Sequence, residues 1–474
     1  MREIGIIASL SSETEARVIL KEGQERVVKT EDLVFVRNRN GGDILAVLRK
    51  GLGSNENLNP GGYHPGVAYA RIGGQPSTAK ETYDFALSVI GEAGESVSQN
   101  KRIVAPGSLV EIFTDDNNPM RLLAGGKHAL TLGFYEGHSN WRVPVDASFI
   151  PYHIGVFAST GGGKSLLARF QIIPLLQKGG YDVLILDWKG RDYAPFFPKD
   201  NVLGISQIAL DVDAVTGYLA EKMANFGYSA YGGTVTQALE EFIFAEKWRG
   251  LSVEEFQRVL EHSMVNSLNP GRTVSGRPFE DEHRFRRGLK RLRDVDIQSI
   301  LGTNTSKDIL EQVRKKHLSV IDMKRTGSSE KLSMFLTLAN HLMERMHNDE
   351  DLNLALVIDE GPQYVPFKPK GIQEKTTDVI IDLCALGRTH KLCISLLSQG
   401  IAGEIGINAA VRRNLNTQFV GKIHPLDMIE VGNWLSPFNI DPKFLLSLPP
   451  GHFYFMGNMN PSPIPLLVTF EVPE

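Results

Sequence analysis

Short apolar and polar runs alternate over the first hundred residues, as expected of half-buried β-strands. The clearest runs are EIGIIASL, EARVILKEG, DLVFVRN and DILAVLRK, and the Asn-Gly-Gly at 40–42 between the last two is typical of a hairpin turn. A loop rich in Gly, Pro and Asn follows at 51–66, after which VAYARI, DFALSVI and SLVEIFT resume the extended pattern. The pattern predicts a small N-terminal β domain over residues 1–115, which we interpret as a β-barrel.

The pattern changes from His153 onward, where near-continuous apolar runs alternate with helical periodicity. These runs are HIGVFA, DVLILDW, LSVIDM, LALVIDE, LCISLLSQ and TQFVGKI, and they suit strands buried on both faces of a sheet. Apolar positions at helical spacing occupy 332–346. The alternation predicts an α/β core with a parallel sheet, built from residues 116–212 and 314–474 and including the C-terminal strands.

A long segment at 213–313 separates the second apolar run from the third and has helical character. Within it, Ser252 and Glu255 have the spacing of a capping box, which predicts a helix beginning at residue 253. We therefore interpret 213–313 as a helical insertion in the α/β core.

Length and composition narrow the class of protein only slightly. The 474 residues suit two or three domains. The formal charge of −4 gives no signature of nucleic-acid binding, although a ring-shaped assembly could enclose a basic channel. The two cysteines, Cys384 and Cys393, lie in apolar stretches, where we expect buried packing residues in a reducing compartment. With no signal-peptide pattern and no run approaching 18 apolar residues, a cytoplasmic protein without a membrane segment is expected.

The strongest chemical signal is the segment ASTGGGKS at 158–165, which follows an apolar strand and precedes a helical pattern. Strand, loop and helix in this order are the context that a Walker A phosphate-binding loop requires, because its backbone N–H groups must wrap around phosphate oxygens. Lys164 is expected to reach the β and γ phosphates, and Ser165 to ligate Mg²⁺. Ala158 stands where the first glycine is usual, so the loop must begin in a conformation that tolerates a Cβ. The predicted ATP-binding residues are Thr160, Gly161, Gly162, Gly163, Lys164, Ser165 and Leu166.

The second chemical signal is a pair of acidic residues at the end of the apolar run LALVIDE. Asp359 is placed to hold the Mg²⁺ shell, and Glu360 is placed to orient and activate the attacking water. The paired glutamate favours hydrolysis over transfer to an acceptor. Lys164 and Glu360 are therefore predicted catalytic residues, and the expected cofactors are ATP and Mg²⁺.

Two further polar residues flank the run LCISLLSQ. Gln399 at its end is expected beside the acidic strand, where its amide could sense the γ-phosphate or the water; a polar strand cap is the alternative. Arg388 before it is a candidate arginine finger acting across a subunit boundary, and an ordinary arginine at a helix end is the alternative. We predict both as catalytic residues.

Signals for nucleic acid are weak. The densest basic run, HRFRRGLKRLR at 283–293, lies in the helical insertion, where a solvated or intersubunit helix face is favoured over phosphate contact. Lys368 and Lys370 suit either a loop facing a channel or an ordinary exposed loop. Base-reading and zinc-binding spacings are missing from the sequence, so the DNA-binding residues stay unassigned and only sequence-independent contact is suggested.

These motifs together resemble the HerA family of hexameric DNA translocases in the HerA and FtsK superfamily. The resemblance covers nearly the whole chain, through PGSLVEIF, HIGVFASTGGGKS, LILDWKGRDY, VIDEGPQYVPF, ALGRTHKLCISLLSQ and the closing PPGHFYFMGNMNPSPIPLLVTFEV. It implies a RecA-like P-loop NTPase core with a helical insertion, preceded by a small barrel of the ATP synthase type. Two departures stand out: Gly361-Pro362 replaces the Ala-His that often follows the acidic pair, and Tyr152 stands where many members carry a basic residue.

The resemblance implies a homohexameric ring that moves along double-stranded DNA by hydrolysing ATP. Relatives in this family commonly serve a nuclease such as NurA in DNA end processing, and others serve different effectors in antiviral defence. Two alternatives stay open. One is a pumping ATPase of the secretion or conjugation type, and the other is a nucleotide-gated scaffold that assembles and regulates an effector nuclease.

Overall fold

The computed structural model describes residues 1–59, 64–75, 81–125, 130–223, 232–245, 247–267, 273–274, 277–278, 286, 288–298 and 300–472. These residues fall into two compact units. The first contains Met1–Ile150, Val156–Leu175 and Asn416–Glu474, and the second contains Pro151–Gly155 and Leu176–Leu415.

The described residues form twenty strands, whose bounds are β1 Arg2–Ile7, β2 Glu15–Leu20, β3 Leu33–Arg37, β4 Ile44–Asn55, β5 Glu81–Ala93, β6 Val97–Ser98, β7 Leu109–Ile112, β8 Leu130–Tyr135, β9 Arg142–Val145, β10 Ile154–Phe157, β11 Asp182–Asp187, β12 Val202–Gly204, β13 Thr273–Val274, β14 Arg277–Pro278, β15 Leu318–Asp322, β16 Leu354–Ile358, β17 Leu392–Ser398, β18 Thr417–Val420, β19 Phe453–Gly457 and β20 Leu466–Thr469. The helices are α1 Pro65–Arg71, α2 Met120–Ala124, α3 Lys164–Leu167, α4 Ile173–Lys178, α5 Val212–Met223, α6 Gly232–Phe244, α7 Val253–Ser267, α8 Asp294–Gln298, α9 Ser306–Lys316, α10 Ser328–His347, α11 Gly361–Tyr364, α12 Ile372–Gly387, α13 Ala409–Asn414, α14 Met428–Leu435 and α15 Pro442–Leu445.

In the first unit, the N-terminal strands form a sheet in the order β2-β1-β7-β3-β4-β5-β6, and β2 also pairs with β5. The pairings β1, β7, β3, β4, β5 and β2 therefore close into a ring. The predicted hairpin is present, since β3 and β4 pair antiparallel with Leu33 opposite Val47. Alternate residues of these strands, among them Ile4, Val18, Val34 and Leu48, fill a common core.

A buried ion pair ties this sheet to the C-terminal segment of the same unit. Arg49 donates to Glu31 through Nε and Nη2, each at 3.0 Å, and both side chains are no more than 2% exposed. Arg49 also donates to the carbonyl oxygens of Phe438 at 2.9 Å and Pro465 at 2.6 Å. Tyr454 completes the shell by donating its hydroxyl to Glu31 at 2.9 Å. The arginine thus satisfies backbone carbonyls that are far apart in sequence.

The first unit also contains the strands in the order β18-β19-β20-β8-β9. Phe419 on β18 stands opposite Phe455 on β19, and their rings stack at 4.9 Å between centroids. The C-terminal run PLLVTF supplies β20, which pairs with β19 and β8.

The second unit holds a parallel sheet in the order β12-β15-β11-β16-β17. Its central strands are buried on both faces, as the continuous apolar runs predicted. Because these strands are parallel, their carboxyl ends meet at one edge of the sheet. That edge carries the acidic site described below.

Helices α5 to α9 lie between β12 and β15, in the stretch that was predicted to be helical, and the described part of that stretch also contains the short strands β13 and β14. The capping box is confirmed: α7 begins at Val253, and Ser252 and Glu255 exchange hydrogen bonds. One extended segment was predicted wrongly, because VAYARI belongs to α1. Among the described residues, every helix is too short or too polar to span a lipid bilayer.

Candidate functional site

The glycine-rich loop of the first unit has the conformation that its composition predicts. It joins β10 to α3, which begins at Lys164, and Gly161 and Gly163 both have positive φ angles, of 78° and 93°. A Cβ on Gly163 would lie 2.8 Å from the backbone nitrogen of Gly451, so this position requires glycine for space as well as for φ. Thr160 and Gly162 complete the turn of the loop.

The alanine that replaces the usual first glycine is accommodated. Ala158 is buried and is not among the residues with positive φ. Its Cβ would lie only 2.9 Å from a Cβ at position 162, so Gly162 makes room for it. Ser159 is fixed through its backbone N–H, which donates to the carbonyl oxygen of Lys422 at 2.6 Å.

Helix α3 presents the loop's reactive side chains in its first turn. Lys164 donates from Nζ to the carbonyl oxygens of Ala158 at 2.7 Å and Ser159 at 3.2 Å, so its ammonium lies against the loop. Ser165 and Leu166 follow in the same turn. The five residues after α3, Ala168–Ile172, form a turn of π-helix before α4, a feature that is often found at functional sites.

In the second unit, three carboxylates converge at the carboxyl edge of the parallel sheet. Oxygens of Asp187, Asp192 and Asp359 lie within 4.8 Å of one another. Asp359 is 3% exposed, and its Oδ2 has no hydrogen-bond partner within the part of the chain that the structure describes. Burial, followed by the negative charges of Glu360, Asp192 and Asp187, raises the pKa of Asp359 to about 7. Mg²⁺ prefers carboxylate oxygens as ligands, and Asp359 offers one that has no hydrogen-bond partner inside an acidic cluster. The side chain of Asp359 therefore fits the predicted Mg²⁺.

Asp187 has a different task in this cluster. Its Oδ1 accepts the backbone N–H of Gly190 at 2.9 Å, and its Oδ2 accepts those of Tyr193 at 3.0 Å and Ala194 at 2.9 Å. These bonds fix the turn that follows β11. Asp187 therefore shapes the edge of the sheet, whereas Asp359 keeps an oxygen available.

Glu360 is held by two donors at the end of β16. Lys189 donates to its Oε1 and forms an ion pair with it, and Gln399 donates from Nε2 to the same oxygen at 2.8 Å. The expectation that Gln399 lies beside the acidic strand is confirmed, because β17 pairs directly with β16. Partial burial lowers the pKa of Lys189, but the hydrogen bond and charge of Glu360 raise it further, so its net pKa lies above the ordinary value. Glu360 also has a left-handed φ of 53°, which turns the chain sharply into α11.

Lys189 was missed by the sequence reasoning, although it lies in the quoted run LILDWKGRDY. The available signal was its place two residues beyond the end of a strand that neighbours β16 in a parallel sheet. The departure at Gly361 is also explained, since a Cβ there would lie 2.4 Å from Cδ2 of Leu396.

Arg388 lies away from these groups. It follows α12 and precedes β17, so it stands at the amino edge of the parallel sheet, whereas Glu360 and Gln399 stand at the carboxyl edge. The seven residues of β17, at about 3.3 Å each, separate the two edges by roughly 20 Å. Arg388 donates to Asn414 at 3.2 Å, and its guanidinium lies 5.5 Å from the ring centroid of Tyr152. Within this unit it does not join Glu360.

His153 is a buried neutral residue near enough to Arg388 to feel its charge. Its Nε2 donates to the carbonyl oxygen of Cys384 at 2.8 Å, and its Nδ1 accepts the backbone N–H of Ile394 at 3.1 Å. Burial lowers the pKa of His153 to about 4. The imidazole thus fastens α12 to β17 as an uncharged group. Cys384 and Cys393 are buried and unbridged, as the sequence predicted.

Two of the described residues in the insertion's basic run form ion pairs, whereas Lys290 and Arg291 are exposed. Residues 283–285 and 287 lie outside the described residues. Of the rest, Arg286 pairs with Glu261 at 2.7 Å and Arg293 pairs with Asp296 at 3.0 Å, while Leu289 is buried. These contacts favour a packed helical segment over a phosphate-binding surface. Lys368 and Lys370 are both exposed, in the loop after α11.

Comparison with known proteins finds a family model that the central part of the chain matches. Residues 130–346 match the family model described as "Helicase HerA, central domain". No curated protein matches the chain.

Among solved structures, VirB4 of Thermoanaerobacter pseudethanolicus has 14% sequence identity and a TM-score of 0.50, over 73% of this chain and 97% of that one. The plasmid coupling protein TrwB with the GTP analogue GDPNP has 15% identity and a TM-score of 0.48, over 76% and 93%. The unbound bacterial conjugative coupling protein TrwBdeltaN70 has 16% identity and a TM-score of 0.45, over 77% and 93%. At these identities the likeness to VirB4 concerns the fold alone.

Proposed function

We propose that this chain hydrolyses ATP to drive movement along double-stranded DNA, because residues 130–346 match the family model of the HerA central domain. The observation that carries the hydrolytic part is the arrangement around Glu360. A carboxylate held by Lys189 and Gln399 stands directly after Asp359, whose buried oxygen suits a metal ion. An oriented carboxylate next to a metal-binding carboxylate is what the activation of water beside a phosphate requires.

In this proposal the glycine-rich loop binds the phosphates. Its backbone N–H groups and the amino end of α3 offer positive potential to the β and γ phosphates, and Lys164 adds a full charge. Ser165 and Asp359 would hold Mg²⁺, which would supply charge neutralisation on the phosphate oxygens.

Glu360 orients and deprotonates the attacking water, and its two donors fix where the carboxylate points. Gln399 links this carboxylate to the strand beside it, so its amide can report the state of the site to β17. Arg388 stands at the opposite edge of its own sheet, which favours action on the nucleotide of a neighbouring copy. Such an arginine finger contributes roughly 10³ to 10⁵ in rate where it meets transition-state charge.

The wider proposal concerns assembly and partners. We infer a homohexameric ring in the cytoplasm, which engages DNA without reading its sequence and serves a nuclease in end processing or antiviral defence. Residues 1–115, whose pairings close into a ring, would form the β-barrel domain. Residues 116–212 and 314–474 would form the ATPase core, and 213–313 the helical insertion.

The test is ATP turnover with and without linear duplex DNA at low salt. Duplex DNA is expected to raise turnover of the wild-type chain, and native mass measurement is expected to show six copies. If DNA does not change ATP turnover and the protein does not move along DNA, the proposed translocation is wrong and a DNA-independent ATPase activity remains.

A pumping ATPase is the second candidate, since the chain shares its fold with VirB4. A nucleotide-gated scaffold is the third. The variant Glu360→Gln distinguishes the scaffold from the two ATP-driven candidates. A scaffold keeps its assembly and its effect on the partner in this variant, whereas a motor or a pump loses its transport activity.

A further inference from the structure

A basic pocket lies beside the acidic site in the second unit. Five cationic side chains and Trp188 line about 590 Å³, and the cations are Lys189, Arg191, Lys324, Arg325 and Lys331. They come from two stretches of sequence more than a hundred residues apart, so no basic run reveals them.

Two pinned turns build this pocket at the carboxyl ends of neighbouring strands, β11 and β15. Asp187 fixes the first turn through three backbone N–H groups, as described above. Asp322 fixes the second, because its Oδ1 accepts the backbone N–H of Lys324 at 2.9 Å. The turns touch at Gly190, where an added Cβ would lie 2.1 Å from Asp322 Oδ1 and 2.7 Å from the Cβ of Lys324. The spacing of the cations is therefore set by the backbone.

The floor of the pocket is a buried lysine. Lys331 is 8% exposed, donates from Nζ to the carbonyl oxygen of Trp188 at 2.7 Å, and lies 4.4 Å from the centroid of that indole. Burial lowers the pKa of Lys331, while Asp187, Glu330 and Asp322 oppose that change. Lys331 occupies the first turn of α10, a helix of 20 residues, so the positive end of the helix dipole adds to its charge.

The rim carries cations whose side chains are not engaged by the acidic residues nearby. Arg191, Lys324 and Arg325 are exposed, and within the described part of the chain none of them forms an ion pair with another side chain. Lys189 differs, because it is paired with Glu360. Three uncommitted cations around a buried fourth are a poor arrangement for stability, since like charges repel, and a good one for an anion.

We propose that this pocket binds phosphate groups, carried either by a nucleic-acid backbone or by a nucleotide polyphosphate. Flexible cations on fixed turns suit phosphate oxygens, which accept charge-assisted hydrogen bonds from several donors at once. Trp188 is nearly buried and is covered by Lys331, so the pocket offers no open aromatic face on which a base could stack. Recognition is therefore of phosphate and not of base. The inference stands whether or not the chain hydrolyses ATP.

The test removes the three rim charges and leaves the acidic site intact. The variant is Arg191→Gln, Lys324→Gln and Arg325→Asn, with asparagine chosen because residue 325 has a φ of 61°. The matched control, Lys199→Gln, Lys307→Gln and Lys315→Gln, removes the same charge from exposed positions elsewhere in the unit. A second variant, Arg191→Lys with Arg325→Lys, keeps the charge, and circular dichroism verifies that all three proteins fold.

Two ligands distinguish the sources. The first is a fluorescein-labelled 30-base-pair duplex followed by anisotropy from 50 to 200 mM salt, and the second is inorganic tripolyphosphate titrated calorimetrically into proteins that also carry Lys164→Ala. If the pocket holds backbone phosphates, the triple variant binds the duplex at least about 10-fold more weakly and its salt slope falls by about 3, one for each cation removed. If the pocket holds a polyphosphate, tripolyphosphate binding is lost and duplex binding is kept. Binding of both ligands that is no weaker than in the matched control overturns the proposal.

Discussion

Replacing Arg49 by leucine removes the centre of the buried network in the first unit. The Glu31 carboxyl group then lacks its partner, and the carbonyl oxygens of Phe438 and Pro465 lose the donor that satisfies them. Leucine fills part of the space and can make none of these four hydrogen bonds. The substitution therefore isolates the electrostatic cost from a simple loss of packing.

The expected cost follows from burial. Both side chains of the pair are at most 2% exposed, so solvent screens the abandoned carboxylate very little. Removing one partner of such a pair costs about 3 to 5 kcal/mol, and we expect about 4 kcal/mol here because two backbone acceptors are left unsatisfied as well. Adding Glu31→Gln replaces the unpaired carboxyl group by a neutral amide, so the double variant is expected to regain about 2 kcal/mol of its free energy of unfolding.

Hydrogen exchange of the β3 and β4 amides is the direct assay, because it reports the local opening free energy. A loss of about 4 kcal/mol accelerates exchange roughly 10³-fold, at about 1.4 kcal/mol for each tenfold. Arg37→Leu is the control on the same sheet: its ion pairs with Asp43 and Glu111 are partly exposed, and its cost is expected below about 1 kcal/mol. Equal effects at Arg49 and Arg37, or a double variant less stable than Arg49→Leu alone, would refute the reasoning.

Three further predictions follow from single residues. His153 has a pKa of about 4 in the folded chain and 6.5 in the unfolded chain, so the unfolded chain binds its proton first as the pH falls. Stability is then lost between these values, by about 2 kcal/mol at pH 5, and urea titrations at pH 7.5 and 5 should show that His153→Gln removes much of this loss. Gly163→Ala should weaken binding of a fluorescent ATP analogue far more than Gly161→Ala, because both have positive φ but only the first meets neighbouring backbone; equal losses would contradict this. Lys189→Gln should lower kcat for ATP hydrolysis about 10-fold with little change in KM, by analogy with other supporting residues; an unchanged kcat would show that Lys189 does not position Glu360.

Much of the site was predictable because its residues follow strongly patterned strands. The run LALVIDE predicts both a buried strand and an acidic carboxyl end, and the order of parallel strands then brings Gln399 to Glu360. The three glycines of the loop predict a backbone that uses positive φ angles, and two of them have such angles in the structure. In these cases local sequence and tertiary structure agree.

Other features depend on contacts that the sequence does not display. The helix at VAYARI replaces a predicted strand, since Pro65 suits the first turn of a helix and the alternation of apolar residues was too short to exclude one. Lys189 and the basic pocket arise where turns after separate strands meet, and only the sheet order joins them. Arg388 was predicted from its motif, but its place at the far edge of the sheet needed the structure.

The central claim is that Glu360 activates water on a nucleotide held by the loop at Lys164. The most direct measurement is phosphate release together with equilibrium nucleotide binding for Glu360→Gln and Lys164→Ala. The account predicts that Glu360→Gln binds ATP like the wild type but turns it over about 10² to 10⁴ times more slowly, whereas Lys164→Ala loses binding and turnover together. Wild-type turnover by Glu360→Gln would contradict it.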